Sequence, residues 1–103
     1  MEIVLQYFDG CPNWRTTAED LRALLSEGLD ADIRYELIDT HELAVVRDFH
    51  GSPTVLIDGV DLFADDKAQV GLACRIYQTE YGYAGSPTLG QLQTAIAAAQ
   101  ESN

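Results

Sequence analysis

Basic residues are scarce in this chain: six Lys and Arg stand against 17 Asp and Glu, for a formal charge of −11. Nothing gathers those six cations into a phosphate-tracking stripe, so no nucleic-acid partner is expected, and the net acidity serves solubility. Long apolar runs are missing as well. With no stretch of membrane-spanning length and no basic segment leading into a hydrophobic one at the N-terminus, we expect a cytoplasmic protein with no membrane partner. Cysteine occurs only twice, as Cys11 and Cys74. In a reducing compartment that count argues against a permanent disulfide staple and leaves catalysis, redox sensing or metal binding. His41 and His50 are isolated, with no metal-ligand spacing to either cysteine, and Asp65-Asp66 reads as a solvated turn because no further carboxylates converge on it. No metal or other cofactor is therefore implied. Low-complexity tracts are absent, and residues 1–103 fit one domain with a single core.

What the chain does carry is a thiol in a distinctive place. Cys11-Pro12-Asn13-Trp14 follows the apolar run Glu2 to Phe8, which reads as a central strand covered on both faces, and opens the amphipathic segment Trp14 to Glu27. Trp14, Ala18, Leu21, Leu24 and Leu25 form one stripe of that helix, and Gly28 stops it. With Cys11 as N-cap and Pro12 at the first helical position, the sulfur accepts from the N–H of Asn13 or Trp14. That placement favours the thiolate, while Asp9 and the acidic surface oppose it. A buried structural cysteine is the alternative.

Downstream, Asp32 to Ile38 alternates Ile33, Tyr35 and Leu37 with Arg34 and Glu36, as a half-buried strand does. Asp39 and Glu42 have capping-box spacing ahead of a short helix with Leu43, Val45, Val46 and Phe49, ended by Gly51. Thr54 to Ile57 and Val60 to Phe63 flank Asp58-Gly59, the strongest hairpin signal in the chain. Ser86-Pro87-Thr88 supplies a cap and a first-turn proline before a last helix striped by Leu89, Leu92, Ile96 and Ala99. Between them, Ala64 to Gly85 reads as irregular, with Leu72, Cys74 and Ile76 alternating against Ala73, Arg75 and Tyr77. Tyr77, Tyr81 and Tyr83 suggest a loop with aromatic anchors, as lid or partner surface.

This order of elements, the Cys11-Pro12-Asn13-Trp14 motif and Gly51-Ser52-Pro53-Thr54 at the third strand together resemble the thioredoxin/glutaredoxin superfamily. The phrase from Tyr7 to Trp14 and the stretch from Gly71 to Tyr77 resemble, more narrowly, small bacterial thioredoxin-like proteins. The resemblance implies an α/β thioredoxin-like fold: a central mixed four-stranded sheet flanked by helices, with an insertion before the C-terminal helix. It also implies a cis Pro53 against the reactive sulfur and a Ser52 backbone free to pair with a peptide or glutathione.

One departure matters. Where a dithiol thioredoxin carries its second cysteine, this chain has Trp14, so Cys11 works as a monothiol or is resolved by Cys74, the one internal candidate. Resolution requires the insertion to fold back and bring the two Cα atoms within about 4.4 to 6.8 Å; otherwise Cys74 is an inward-facing filler. Arg75 and Arg15 would then stand near the sulfurs as cations for a thiolate or a glutathione carboxylate. Trp14 covers the thiol, offers a flat wall to a ligand, or simply packs.

The catalytic candidates are thus Cys11 and Cys74, with Pro12, Trp14, Ser52, Pro53 and Arg75 toward a thiol or disulfide substrate, protein or glutathione. Cys11 is expected to alkylate faster than Cys74, on the premise of a partly exposed sulfur at a helix terminus. Two other readings stay open: a soft-metal or organomercurial handler using both thiolates, and a binding module that kept the scaffold without the chemistry.

Overall fold

The apolar run after Met1 forms β1 (Glu2–Tyr7), whose four middle residues are all buried. The computed structural model describes residues 1–64 and 69–101, so the Asp65-Asp66 turn lies outside the described residues. As expected for a strand apolar on both sides, β1 is interior: it pairs in parallel with β2 (Asp32–Leu37) and antiparallel with β3 (Thr54–Ile57). With β4 (Val60–Asp61) the order is β2-β1-β3-β4, a mixed four-stranded sheet. The Asp58-Gly59 hairpin forms as its sequence demands, with φ of 50° and 84° at the two turn residues. Asp58 also accepts from the Glu2 N–H through its side chain at 2.8 Å, which ties the turn to the start of β1.

Helices α1 (Trp14–Ser26) and α3 (Leu89–Glu101) pack on the face carrying Ile3, Leu5, Val55 and Ile57. There the register sets Ile3 opposite Ile57 and Leu5 opposite Val55. Leu21 and Leu92, both fully buried, close this core; each such side chain contributes about 1.5–3 kcal/mol. Gly28, at φ 109°, ends α1 with the Leu29 N–H on the Leu24 carbonyl and its own N–H on that of Leu25, a pairing that needs a left-handed residue. The short α2 (His41–Val46) builds a second cluster from Ile38, Ala44 and Phe49.

Several local expectations shift. The cap of α2 is Thr40, whose hydroxyl accepts from the Leu43 N–H, and not Asp39. The cap of α3 moves from Ser86 to Thr88, which exchanges two hydrogen bonds with Gln91 in a reciprocal capping box. Strand β4 stops at Asp61 instead of Phe63, because the Asp61 carboxylate turns to accept from the Phe63 N–H. Strand β2 lies at the sheet edge, so Tyr35 and Leu37 are exposed where alternation predicted cover.

From residue 69 onward the insertion is more regular than expected and inverts its predicted phase. Strands β5 (Tyr77–Thr79) and β6 (Gly82–Ala84) form a separate hairpin. Leu72, Cys74 and Ile76 face outward, while Arg75 and Tyr77 are buried. Of the three tyrosines only Tyr77 anchors the loop, since Tyr81 and Tyr83 are exposed. Among the described residues, no helix is long and apolar enough to cross a membrane.

Candidate functional site

Cys11 leaves the carboxyl end of β1 in a tight turn, its N–H on the Phe8 carbonyl. It lies two residues before the helix cap: α1 begins at Trp14 and Asn13 occupies the N-cap position with no capping hydrogen bond of its own. The Asn13 side chain is instead turned back, its Nδ2 donating to Cys11 Sγ at 3.5 Å. The sulfur thus receives a side-chain donor in place of the backbone N–H predicted for a capping cysteine. Pro12 is exposed in this turn, and its carbonyl accepts from Arg15 N–H.

Across the turn stands Cys74. The two cysteines form a disulfide with a Cα separation of 5.6 Å, inside the window required of a resolving pair. Cys11 is fully buried and Cys74 is exposed. The premise that Cys11 offers a partly exposed sulfur is therefore overturned: the segment carrying Cys74 lies over it.

That segment is a docked strand. Ser52 N–H donates to the Ala73 carbonyl at 2.8 Å and Arg75 N–H donates to the Ser52 carbonyl at 2.9 Å, a parallel bridge centred on Ser52 and Cys74. The Ser52-Pro53 bond is cis, as the resemblance implies. The free Ser52 edge is not there, however, because the chain's own residues pair with it. Gly51 makes the approach feasible: at φ 112°, an added Cβ would stand 3.1 Å from both the Ala73 carbonyl oxygen and Arg75 Cβ. Cys11 Sγ lies 3.7 Å from the Ser52 carbonyl oxygen, close enough to donate to it once the thiol forms.

Arg75 does not reach for a thiolate or a ligand carboxylate. Its side chain is only 4% exposed, and the guanidinium pairs with Asp61 at 2.8 Å and 3.4 Å, donates to Thr54 Oγ1 at 3.2 Å and to the Phe63 carbonyl, and lies over the Tyr77 ring at 4.8 Å. The reason is electrostatic: once the strand docks, Arg75 loses water and takes the Asp61 carboxylate in a bidentate pair. Arg15 sits over Trp14 at 5.6 Å instead of beside the sulfurs, and Trp14 stacks on Tyr7 with centroids 4.4 Å apart while packing on the main core.

Tyr77 completes the clamp. Its hydroxyl donates to the Pro53 carbonyl and its ring meets Phe63 edge-on at 5.5 Å. Burial pushes the Tyr77 phenol well above its ordinary value. The folded state therefore holds this proton more tightly than the unfolded chain, so its contribution to stability is whole below about pH 10 and declines as pH rises beyond it. Tyr77→Phe should cost about 1–3 kcal/mol at pH 7, because the Pro53 carbonyl is left buried and unpaired. The variant should also lose stability less steeply than wild type above pH 10; parallel alkaline urea titrations would count against this account.

Cys74 lines a cavity of about 520 Å³ together with His50, Phe63, Gln69 and Tyr77. His50, given no role from sequence, also pairs with Asp48 at 3.0 Å. Its isolation in sequence hid this placement, as it hid the contribution of Gly51, Thr54 and Asp61 to the clamp. No family model matches this sequence, and comparisons with curated proteins and with solved structures return no match.

Proposed function

We propose that the protein is a thiol–disulfide redox protein on a thioredoxin-like scaffold, with Cys11 and Cys74 as its dithiol/disulfide couple. One observation carries this reading: two cysteines 63 residues apart are bonded at the end of the central strand. Support for the scaffold comes from the parallel β1–β2 pair, the antiparallel β3 and β4, and a disulfide-bonded cysteine between β1 and α1. Cys74 takes the part that Trp14 leaves vacant. Asn13 supplies a hydrogen bond to Cys11 sulfur when it carries negative charge, which eases both its departure from a disulfide and its attack on one. A thiol or disulfide compound, glutathione among them, is the exchange partner.

The test is cyclic oxidation. Treating the reduced protein with mild oxidant should give a monomer lighter by two hydrogens, with a Cys11–Cys74 linkage in its peptide map, and excess dithiothreitol should restore the dithiol. Two free thiols after oxidation, or only intermolecular linkage, would overturn the proposal.

A further inference from the structure

The arrangement of the pair also says which sulfur meets the outside. Resting on the thiol–disulfide reading above, we infer that external exchange takes place at Cys74, with Cys11 as the internal partner, and that the substrate is a low-molecular-weight thiol or disulfide rather than an extended protein segment.

Thiolate attack on a disulfide needs access to one sulfur while the other departs. Cys11 has no exposed surface, whereas Cys74 is exposed and lines the cavity of about 520 Å³. A small thiolate RS⁻ therefore bonds to Cys74 Sγ, the Cys11–Cys74 bond breaks, and its electron pair leaves as the Cys11 thiolate, to which Asn13 Nδ2 donates a hydrogen bond. A second RS⁻ attacks the outer sulfur of the Cys74 mixed disulfide, releasing RSSR and the Cys74 thiolate. Two thiols are oxidised and one disulfide is reduced. In reverse, Cys74 attacks RSSR and Cys11 resolves the adduct.

The same strand decides the size of the substrate. A protein substrate would add its backbone to Ser52, but both backbone hydrogen-bonding groups of Ser52 are held by Ala73 and Arg75. What keeps that strand in place is separate from the disulfide: Arg75 is tied to Asp61, Thr54 and Phe63, and Tyr77 to Pro53. Reduction thus leaves the edge filled and Cys11 covered, while the cavity beside Cys74 is within the usual size range of small-ligand sites.

The experiment compares reduced Cys11→Ser and Cys74→Ser proteins reacting with 2-hydroxyethyl disulfide, followed by intact mass. Cys74 in the first should react about tenfold or more faster than Cys11 in the second, since access governs the rate. Equal rates, or a faster Cys11, overturn the inference. Wild-type protein serves if either variant misfolds: oxidised protein mixed briefly with glutathione and quenched in acid should carry the adduct on Cys74, and an adduct on Cys11 overturns it. The dithiol form should reduce glutathione disulfide but reduce insulin no faster than dithiothreitol does; efficient insulin reduction removes the small-substrate assignment. A protein whose disulfide neither forms nor exchanges sinks the thiol–disulfide reading as well, whereas exchange through Cys11 sinks this inference alone.

Discussion

Reducing the Cys11–Cys74 bond, or removing it with Cys74→Ser, is expected to lower the free energy of unfolding by about 4 kcal/mol, which follows from chain entropy across a closed loop of this length. The linked residues are 63 apart, so the loop takes in α1, β2, α2, β3, β4 and the docked strand. Cutting it frees most of the unfolded chain while the folded state keeps its sheet and helices. Against the 5–15 kcal/mol typical of a whole domain, a loss of about 4 kcal/mol is a large fraction. For a chain of this size it corresponds to a fall in Tm of about 15–30 °C. Urea titrations with and without dithiothreitol should show the midpoint moving. A shift under about 1 kcal/mol, well below the usual range for such a link, would mean that the bond constrains the unfolded chain little or is sparsely formed.

How much of this could be read from the sequence depends on whether the deciding partner is near or far along the chain. Strand β1 was legible because consecutive Ile3, Val4 and Leu5 put apolar side chains on both faces, which an interior strand buries. The hairpin at Asp58-Gly59 and the stripes of α1 and α3 were legible because turn chemistry and helical period are local. Caps slipped by one or two residues, since Thr40 competes with Asp39 and Thr88 with Ser86 for the same unsatisfied N–H groups. The insertion was misread for a different reason. Alternation from Leu72 to Tyr77 defines two faces and not which one is inward, and hydrophobicity favoured Leu72 and Ile76. Arg75 wins because Asp61, 14 residues earlier, waits with a carboxylate, and because the Pro53 carbonyl accepts from Tyr77. The pairing of Cys11 with Cys74 was anticipated as one branch of an open question, while the filling of the Ser52 edge was not, since it depends on a strand held in place by partners of Arg75 and Tyr77 that are distant in sequence.

The ion pair is accordingly where the second large effect is expected. Asp61→Ala should destabilise the protein by about 3–5 kcal/mol, the usual cost of leaving a buried charge without its partner. The asymmetry of the pair sharpens the test. Arg75 is 4% exposed at its side chain and Asp61 18%, so Arg75→Met leaves behind a carboxylate that water can reach and should cost less, about 1–3 kcal/mol. The double variant Asp61→Ala with Arg75→Met removes both charges and should be more stable than Asp61→Ala alone, a non-additivity that a double-mutant cycle reads directly. Loss of the pair also loosens the Ala73–Arg75 strand from Ser52, so oxidation of the dithiol by glutathione disulfide should stall at the Cys74 adduct, with Cys11 slower to close the ring. Asp61→Ala within about 0.5 kcal/mol of wild type, the range of an ordinary surface change, would show that the clamp is not what holds Cys74 over Cys11. Additive single effects would show that the two side chains act independently despite the 2.8 Å between them.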